Sequence, residues 1–367
     1  MPKLDGIRVL DLSAFLPGPY ASMMMADHGA EVIMVEPDNG RGEPTRAMGE
    51  TYEDGTSVWF SNIARCKKSY RVNLKDEGEY TRFLELADTA DVVIEAFRPG
   101  VVRRLRVDYD TLSARNPGLV YCSISAFGQG GRYAAKPAHD LVVQAMAGTA
   151  DLTRGRRGEP TFTPMPSADM AASTLALSGI LMALLARERT GEGDYLDISM
   201  YHALLSWVPN VTGSIFAHNE QPKREAMRNF GGNAFVNIYE TRNGGHIALG
   251  GSEPKFVANF LRAVHREDLL PATRKPVGEQ QALIADMEAL FKTRTQGEWE
   301  ALLADVDCCW SPIRTLHTAL TEDEAPVRVD ASGKRHIENP IRFARDPARA
   351  SDGLPGYGEH TEALRNG

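Results

Sequence analysis

The chain has 367 residues, of which 43% are hydrophobic and 25% charged, a composition typical of a globular protein with about two domains. Its formal net charge of -8 argues against nucleic acid or an anionic membrane as a partner. The sequence contains no continuous run of about eighteen apolar residues, so we expect no membrane-spanning helix. The first residues pass directly into a strand pattern, without the apolar centre of a secretory signal, so we expect a cytoplasmic protein.

The cysteines and histidines give no disulfide or metal pattern. The four cysteines are Cys66, Cys122, Cys308 and Cys309. None forms a CxxC pair and adjacent cysteines rarely bridge, so a disulfide framework is not expected. The nine histidines lack HxxxH or HExxH spacing, so a structural zinc site is not expected.

Strand and helix patterns alternate in the first third of the chain. The strand patterns lie at 7–13, 31–37, 91–97 and 119–127. Strands separated by helical stretches predict an α/β fold, with a parallel sheet and crossover helices. The loop after the first strand, SAFLPGPY, lacks GxGxxG, so nicotinamide binding is not expected.

The rest of the chain predicts a second, smaller domain. A long apolar helix over 169–189 ends at Thr190 and Gly191. Short strands around an RNGG turn, followed by helices, indicate an α+β unit, and the closing tail has the proline, glycine and charge of a segment draped over a surface. The expected division is a large domain at 1–217, a linker at 218–229, a small domain at 230–320 and a returning C-terminal segment at 321–367.

Four acid–base side chains stand at the ends of predicted elements, where α/β enzymes build their sites. His139 and Asp140 precede one helix, Asp169 opens another, and Glu253 follows the strand HIALGG. Each also has a simpler interpretation, because an aspartate at a helix start is commonly a cap, and Glu253 with Pro254 fits an ordinary helix start.

Basic residues are concentrated in the first domain of this acidic protein. Guanidinium groups bind phosphate in bidentate fashion and lysine adds a point charge, so the cluster could hold a phosphorylated ligand. A solvated surface with scattered charges is the alternative. The residues concerned are Arg46, Arg65, Lys67, Lys68, Arg98, Arg103 and Arg104.

Six stretches distributed over nearly the whole chain resemble the class III CoA-transferase family, which includes formyl-CoA and carnitine CoA-transferases and the α-methylacyl-CoA racemases. The stretches are GIRVLDLSAFLPGPYASMMMADHGAEVIMVEP, ADVVIEAFRPGVVRRL, NPGLVYCSISAFGQGG, HDLVVQAMAG, LMALLARERTGEGDYLDISM and GEHTEALR. The resemblance implies a Rossmann-like large domain made from both chain ends, a small domain and an interlocked homodimer. It also implies a coenzyme A thioester as substrate, with no tightly bound cofactor.

The resemblance implies that coenzyme A is the ligand of the basic cluster. The positions that handle the phosphates and adenine of coenzyme A in the family correspond to Arg46, Arg65, Arg98 and Arg104. The block at 64–69 reads ARCKKS where the family usually has NRxKRS, so Lys67 and Lys68 are both positive and the phosphate contacts are expected to differ in detail.

The family contains two chemistries with different demands. In a CoA-transferase a carboxylate attacks the thioester carbonyl, and that nucleophile is similar in position to Asp140. In a racemase two groups exchange the proton on the α carbon, and the pair corresponds to His139 and Asp169. Glu253 is then similar to a carboxylate that supports the histidine, and the main-chain N–H of Asp140 would stabilise the enolate oxygen.

Some features resemble the racemase branch and others the transferases. His139, the segment GGSEPKF around Glu253, the block DCCWSPI and the chain length favour the racemase branch. Val143, where racemases usually carry tyrosine, the segment GEPTRAMG and a potential glycine lid at Gly250 and Gly251 favour a transferase.

The balance favours racemisation of a 2-methylacyl-CoA, with CoA transfer as the alternative. A non-catalytic acyl-CoA-binding protein is a third, weaker alternative, because all four candidate catalytic groups are present.

Overall fold

The computed structural model describes residues 1–153, 158–223, 226–349 and 353–366. The chain divides into two compact units. Unit 1 comprises Met1–Trp207 and Pro326–Gly367, and unit 2 comprises Val208–Ala325. The segment predicted as a linker, 218–229, therefore falls inside unit 2, and the tail belongs to unit 1 from Pro326 onward.

Unit 1 is built on a sheet of six parallel strands. They are β1 (Arg8–Asp11), β2 (Glu31–Pro37), β3 (Lys67–Val72), β4 (Val92–Glu95), β5 (Val120–Ser125) and β6 (Tyr195–Ser199). Their order in the sheet is β3-β2-β1-β4-β5-β6. This is the doubly wound order, in which the direction of winding reverses between β1 and β4. The predicted α/β class is confirmed.

The helices, in chain order, cover both units. They are α1 (Pro17–Asp27), α2 (Val58–Ala64), α3 (Glu77–Ala87), α4 (Val101–Leu105), α5 (Tyr109–Ser113), α6 (Asp140–Met146), α7 (Thr149–Leu152), α8 (Ser167–Thr190), α9 (Met200–Leu205), α10 (Gly213–His218), α11 (Pro254–Ala263), α12 (Gln281–Phe291), α13 (Gln296–Leu303), α14 (Leu316–Thr321) and α15 (Thr361–Asn366). Short 3₁₀ turns lie at Pro44–Ala47, Arg228–Phe230, Glu267–Leu269 and Ala272–Arg274.

Each face of the sheet in unit 1 has its own apolar core, because successive strand residues point to opposite faces. Val9, Val32 and Val92 pack with helices α1 and α8 on one face. Leu10 and Ile33 pack with α3 on the other. Parallel sheets with both faces covered require nearly continuous apolar strands, which is why these strands lack a polar alternation.

Helix α8 is the longest helix and lies close to its predicted range of 169–189. It is buried in the core of unit 1 through small side chains such as Ala172 and Ala176, and it ends at Gly191, whose φ is 75°. Contrary to the sequence expectation, α8 is long and apolar enough to cross a membrane by length and composition. Its leucine, isoleucine, methionine and alanine residues keep the mean hydropathy high although serine, threonine and glycine interrupt the apolar run, and the core helix of a soluble protein passes the same test.

Unit 2 contains a three-stranded antiparallel sheet of β7 (Val236–Glu240), β8 (His246–Gly250) and β9 (Trp310–Pro312), in that order. Its core is aromatic: the ring of Phe291 stacks on Tyr239 at 4.9 Å and also contacts Trp299. A small antiparallel hairpin, β10 (Val327–Val329) and β11 (Arg335–Ile337), belongs to unit 1.

Candidate active site

Two cavities of unit 1 flank the reversal point at the carboxyl ends of β1 and β4. One, of about 470 Å³, extends past the ends of β2 and β3, and the other, of about 510 Å³, extends towards α6 and α8. Ala14, in the loop after β1, and Phe97, in the loop after β4, line both cavities. Ligands of open α/β sheets bind at this position, so the two cavities form the candidate site.

His139 stands at the mouth of the second cavity. It is the N-cap residue of α6, with extended backbone and no side-chain capping bond. Its imidazole is exposed and meets the ring of Phe15 edge-on, with the ring centroids 5.9 Å apart. Its position leaves the imidazole accessible to a molecule in the cavity.

Asp169 lines the same cavity from the first turn of α8. Burial, reinforced by the nearby charge of Asp140, raises the pKa of this carboxyl to about 7. Among the described residues its carboxylate accepts no hydrogen bond. A carboxyl group of this kind is half protonated near neutral pH and can both give and take a proton.

The carboxylate of Asp140 is occupied by hydrogen bonds. Oδ1 accepts the main-chain N–H of Ala168 at 2.7 Å and that of Asp169 at 3.4 Å, both in the first turn of α8. Oδ2 accepts a hydrogen bond from the amide of Gln144, one turn along α6. Asp140 therefore caps the start of α8, which no side chain of its own N-cap residue does. This arrangement favours a supporting position beside Asp169 over the nucleophilic position predicted from the resemblance.

The loop after β1 contains a contact that no sequence pattern indicates. Phe15 has a left-handed backbone, with φ 67°, and its main-chain N–H donates to the carboxylate of Glu43 at 2.9 Å. Phe15 and Glu43 are 28 residues apart in the sequence, and nothing in that spacing indicates that the Glu43 carboxylate accepts the main-chain N–H of Phe15.

Two cations of the basic cluster, Arg98 and Arg104, and a third outside it, Lys136, are exposed on unit 1. Arg98 lines the second cavity, together with Lys136, which the sequence analysis did not select. Arg104 is exposed on α4. Within the described part of the chain none of the three forms an ion pair, so their charges are available to phosphate or carboxylate groups.

Two other predicted phosphate ligands are sealed in buried ion pairs. Arg65 makes a bidentate pair with Asp27, with Nη2 2.7 Å from Oδ2. Lys67 Nζ lies 3.2 Å from Asp11 Oδ2 and its side chain has 0% exposure. Neither charge is available to a phosphate group, because each neutralises a buried aspartate. Their placement indicates a structural role instead of the predicted direct contact.

Arg46 and Lys68 are also paired, but less deeply. Arg46 makes a bidentate pair with Glu36 and lies 4.1 Å from the ring centroid of Phe60. Lys68 pairs with Glu31 and remains partly exposed. Arg46 and Lys68 could each bind a phosphate group only after breaking the ion pair with Glu36 or Glu31.

Glu253 belongs to unit 2, where it is exposed at the residue before α11 and makes no side-chain capping bond. Its predicted support of the histidine stays a prediction. Among the described residues no group of three His, Cys, Asp or Glu side chains could hold a metal ion.

Comparison with known proteins identifies the family of the chain. Residues 4–361 match the sequence model of CoA-transferase family III. The chain belongs to this family. It is 36% identical, over 76% of either chain, to the acetyl-CoA:oxalate CoA-transferase of Acetobacter aceti. It is 31% identical, over 99% of its own length and 92% of the relative's, to the α-methylacyl-CoA racemase of Mus musculus.

Solved structures of the family have the same fold. The structure of Rv3272 from Mycobacterium tuberculosis superposes with a TM-score of 0.86 at 29% identity, covering 99% of either chain. A CAIB/BAIF family protein from Brucella suis gives a TM-score of 0.85 at 26% identity, over 100% and 99% of the two chains. The chain is therefore a family III enzyme that acts on acyl-CoA, either as a CoA-transferase or as a racemase, and both kinds occur among its relatives.

Proposed function

We propose that this family III enzyme inverts the α carbon of a 2-methylacyl-CoA thioester by two-base proton transfer. One observation carries the proposal: His139 and Asp169 line a single cavity, and burial brings the pKa of Asp169 to about 7. Exchange of an α proton requires two proton-transfer groups, and the cavity offers an imidazole and a carboxyl whose pKa lies near neutral pH. The similarity to a racemase over nearly the whole chain supports it.

The reaction can be written on these two side chains. For one enantiomer the neutral imidazole of His139 takes the α proton, and the electron pair moves into the thioester carbonyl to give an enolate. The protonated carboxyl of Asp169 then returns a proton to the opposite face of the α carbon. The other enantiomer uses the ionised Asp169 as base and the imidazolium as acid. In both directions the pair begins and ends with one proton in total.

The coenzyme A portion is proposed to occupy the cavity beyond the ends of β2 and β3. That cavity adjoins the His139 cavity at Ala14 and Phe97, so a single extended ligand could pass from one to the other. Arg98 and Lys136 line the His139 cavity and Arg104 is exposed on α4, so their unpaired charges are available to phosphate groups of a ligand that spans both cavities.

CoA transfer is the second candidate, and a specific observation favours Asp169 over Asp140 as its nucleophile. The Asp169 carboxylate is desolvated and accepts no hydrogen bond among the described residues, whereas that of Asp140 is engaged at both oxygens. An Asp169 oxygen would attack the thioester carbonyl and release the CoA thiolate, giving a mixed anhydride. The thiolate would then attack the aspartyl carbonyl, releasing the acid and leaving an aspartyl-CoA thioester.

The test is to incubate an enantiopure 2-methylacyl-CoA with the enzyme in the absence of any acceptor acid, and to follow its optical purity by chiral chromatography. We expect racemisation by the wild type, none by His139→Asn or Asp169→Asn, and a partly retained rate for Asp140→Asn, which keeps an acceptor oxygen for the start of α8. Unchanged optical purity together with CoA transfer to added carboxylates would overturn the proposal in favour of the second candidate.

We also propose the interlocked homodimer of the family for this chain. Helix α8 exposes large apolar side chains on the face away from its core, with Met182 69% and Leu185 66% accessible. An apolar face of this kind favours burial against another chain. Light scattering coupled to size exclusion should give twice the 40.3 kDa chain mass, and a stable monomer would contradict it.

A further inference from the structure

The backbone of Phe15 is strained in a way that needs an explanation. Its φ of 67° lies in the left-handed region, which a large aromatic residue rarely adopts. Such residues persist only where the surrounding structure fixes them, and they cluster at functional sites. Phe15 lies in the loop between β1 and α1, at the edge of the His139 cavity.

A single buried carboxylate holds this conformation. Glu43 Oε1 accepts the main-chain N–H of Phe15 at 2.9 Å. Its Oε2 accepts the main-chain N–H of Thr45 at 2.7 Å and also the hydroxyl of that residue. The Glu43 residue is 6% exposed, so both oxygens exchange solvent for these donors. Charge-assisted bonds of this kind are stronger than those of a neutral acceptor.

On the other side, Phe15 contacts the proposed base. Its ring meets the imidazole of His139 at an interplanar angle of 81°, in the edge-to-face geometry that aromatic rings prefer. Within the described part of the chain His139 makes no side-chain hydrogen bond, so the contact with Phe15 is available to set the orientation of its ring.

We propose that Glu43 is a positioning residue: it fixes the backbone of Phe15, whose ring orients the imidazole of His139 for proton transfer. The effect of Glu43 on the reaction rate rests on the proposed function. Its effect on the orientation of the His139 imidazole does not. An amide at position 43 replaces one of the two acceptor oxygens by an NH2 donor, which would face the main-chain N–H of either Phe15 or Thr45, so it cannot accept from both in this geometry.

The test combines NMR of protein labelled with ¹³C at the histidine ε1 carbons with steady-state kinetics. The His139 signal is assigned by its loss in His139→Asn. The variants are Glu43→Gln and Phe15→Leu. The control is Asp91→Asn, because Asp91 also accepts a main-chain N–H, that of Arg8 at 2.7 Å, at the opposite end of β1.

We expect Phe15→Leu to move the His139 signal by removing the ring current of the aromatic neighbour, and Glu43→Gln to move it in the same direction. Both should lower kcat for racemisation about tenfold with KM changed less than about twofold, since reactive groups lose rate when misplaced by about an ångström. Asp91→Asn should leave the signal and kcat unchanged.

An unmoved His139 signal in Glu43→Gln overturns the proposal, whether or not the enzyme racemises its substrate. Failure of the proposed function alone gives a different result, in which the signals move and no variant or wild type racemises. If Glu43→Gln does not fold, Phe15→Leu still tests the contact, and an unmoved signal there overturns the proposal as well. A moved signal with wild-type kcat, in an enzyme that does racemise, overturns the positioning role.

Discussion

Asp169 should make the folded protein less stable as the pH rises. Its pKa is raised from 3.8 to about 7 on folding, so between these values the folded state binds more protons than the unfolded state and stability falls with increasing pH. Asp169→Asn removes this penalty and should raise the free energy of unfolding at pH 8 by on the order of 2–4 kcal/mol. Urea unfolding at pH 5 and pH 8 measures it. An equal effect at both pH values would contradict the raised pKa.

The pH dependence of the reaction should distinguish the two chemistries. Two-base racemisation needs one proton on the pair, so kcat/KM should fall on both sides of neutrality, with the same profile for the two enantiomers. CoA transfer needs only the ionised Asp169, so its rate should rise through about pH 7 and then stay level. A level alkaline limb in the racemisation assay would contradict the assignment of Asp169 as the proton donor.

The sequence indicated candidate acid–base residues but not the contacts that they make. His139, Asp140 and Asp169 were selected because each stands at the start of a helix, and two of them do line one cavity. An aspartate at the start of one helix can also accept main-chain N–H groups of another helix, and this contact determines whether its carboxylate is free to react. Asp140 meets the start of α8, 28 residues along the chain, and no local pattern contains that contact.

At the level of the elements, strand β3 turns two adjacent lysines to opposite environments. The block ARCKKS at 64–69 is assigned by resemblance to coenzyme A binding, and it overlaps the strand KKSYRV, which the sequence analysis does not predict. Side chains alternate across a strand, and Lys67 consequently enters the core to meet Asp11, while Lys68 points outward to Glu31. Composition identified the charges but could not show which of them the fold would bury.

This alternation gives a test of Lys67 with its neighbour as control. Lys67→Met leaves the carboxylate of Asp11 buried without its cation, and should lower the free energy of unfolding by about 3–5 kcal/mol. Lys68→Met removes a partly exposed pair and should cost less than about 1 kcal/mol. Urea denaturation measures both. Similar small losses would show that Lys67 is not a structural cation.

At the level of the whole molecule, the sequence predicted the strands better than their arrangement. The pattern at 31–37 matches β2, and those at 91–97 and 119–127 contain β4 and β5. Their continuous apolar character gives a local signal. The order β3-β2-β1-β4-β5-β6 depends on long-range pairing, so the reversal point between β1 and β4 came only from the structure.

That reversal point connects the fold to the proposed chemistry, because the loops after β1 and β4 line both cavities there. The most direct test of the account is isotope incorporation: a 2-methylacyl-CoA of one configuration is incubated with the enzyme in D2O without an acceptor acid and analysed by mass spectrometry after chiral separation. We predict one deuterium at the α carbon of the inverted product, and no inverted product with Asp169→Asn. Complete retention of the α hydrogen and of configuration would contradict the account.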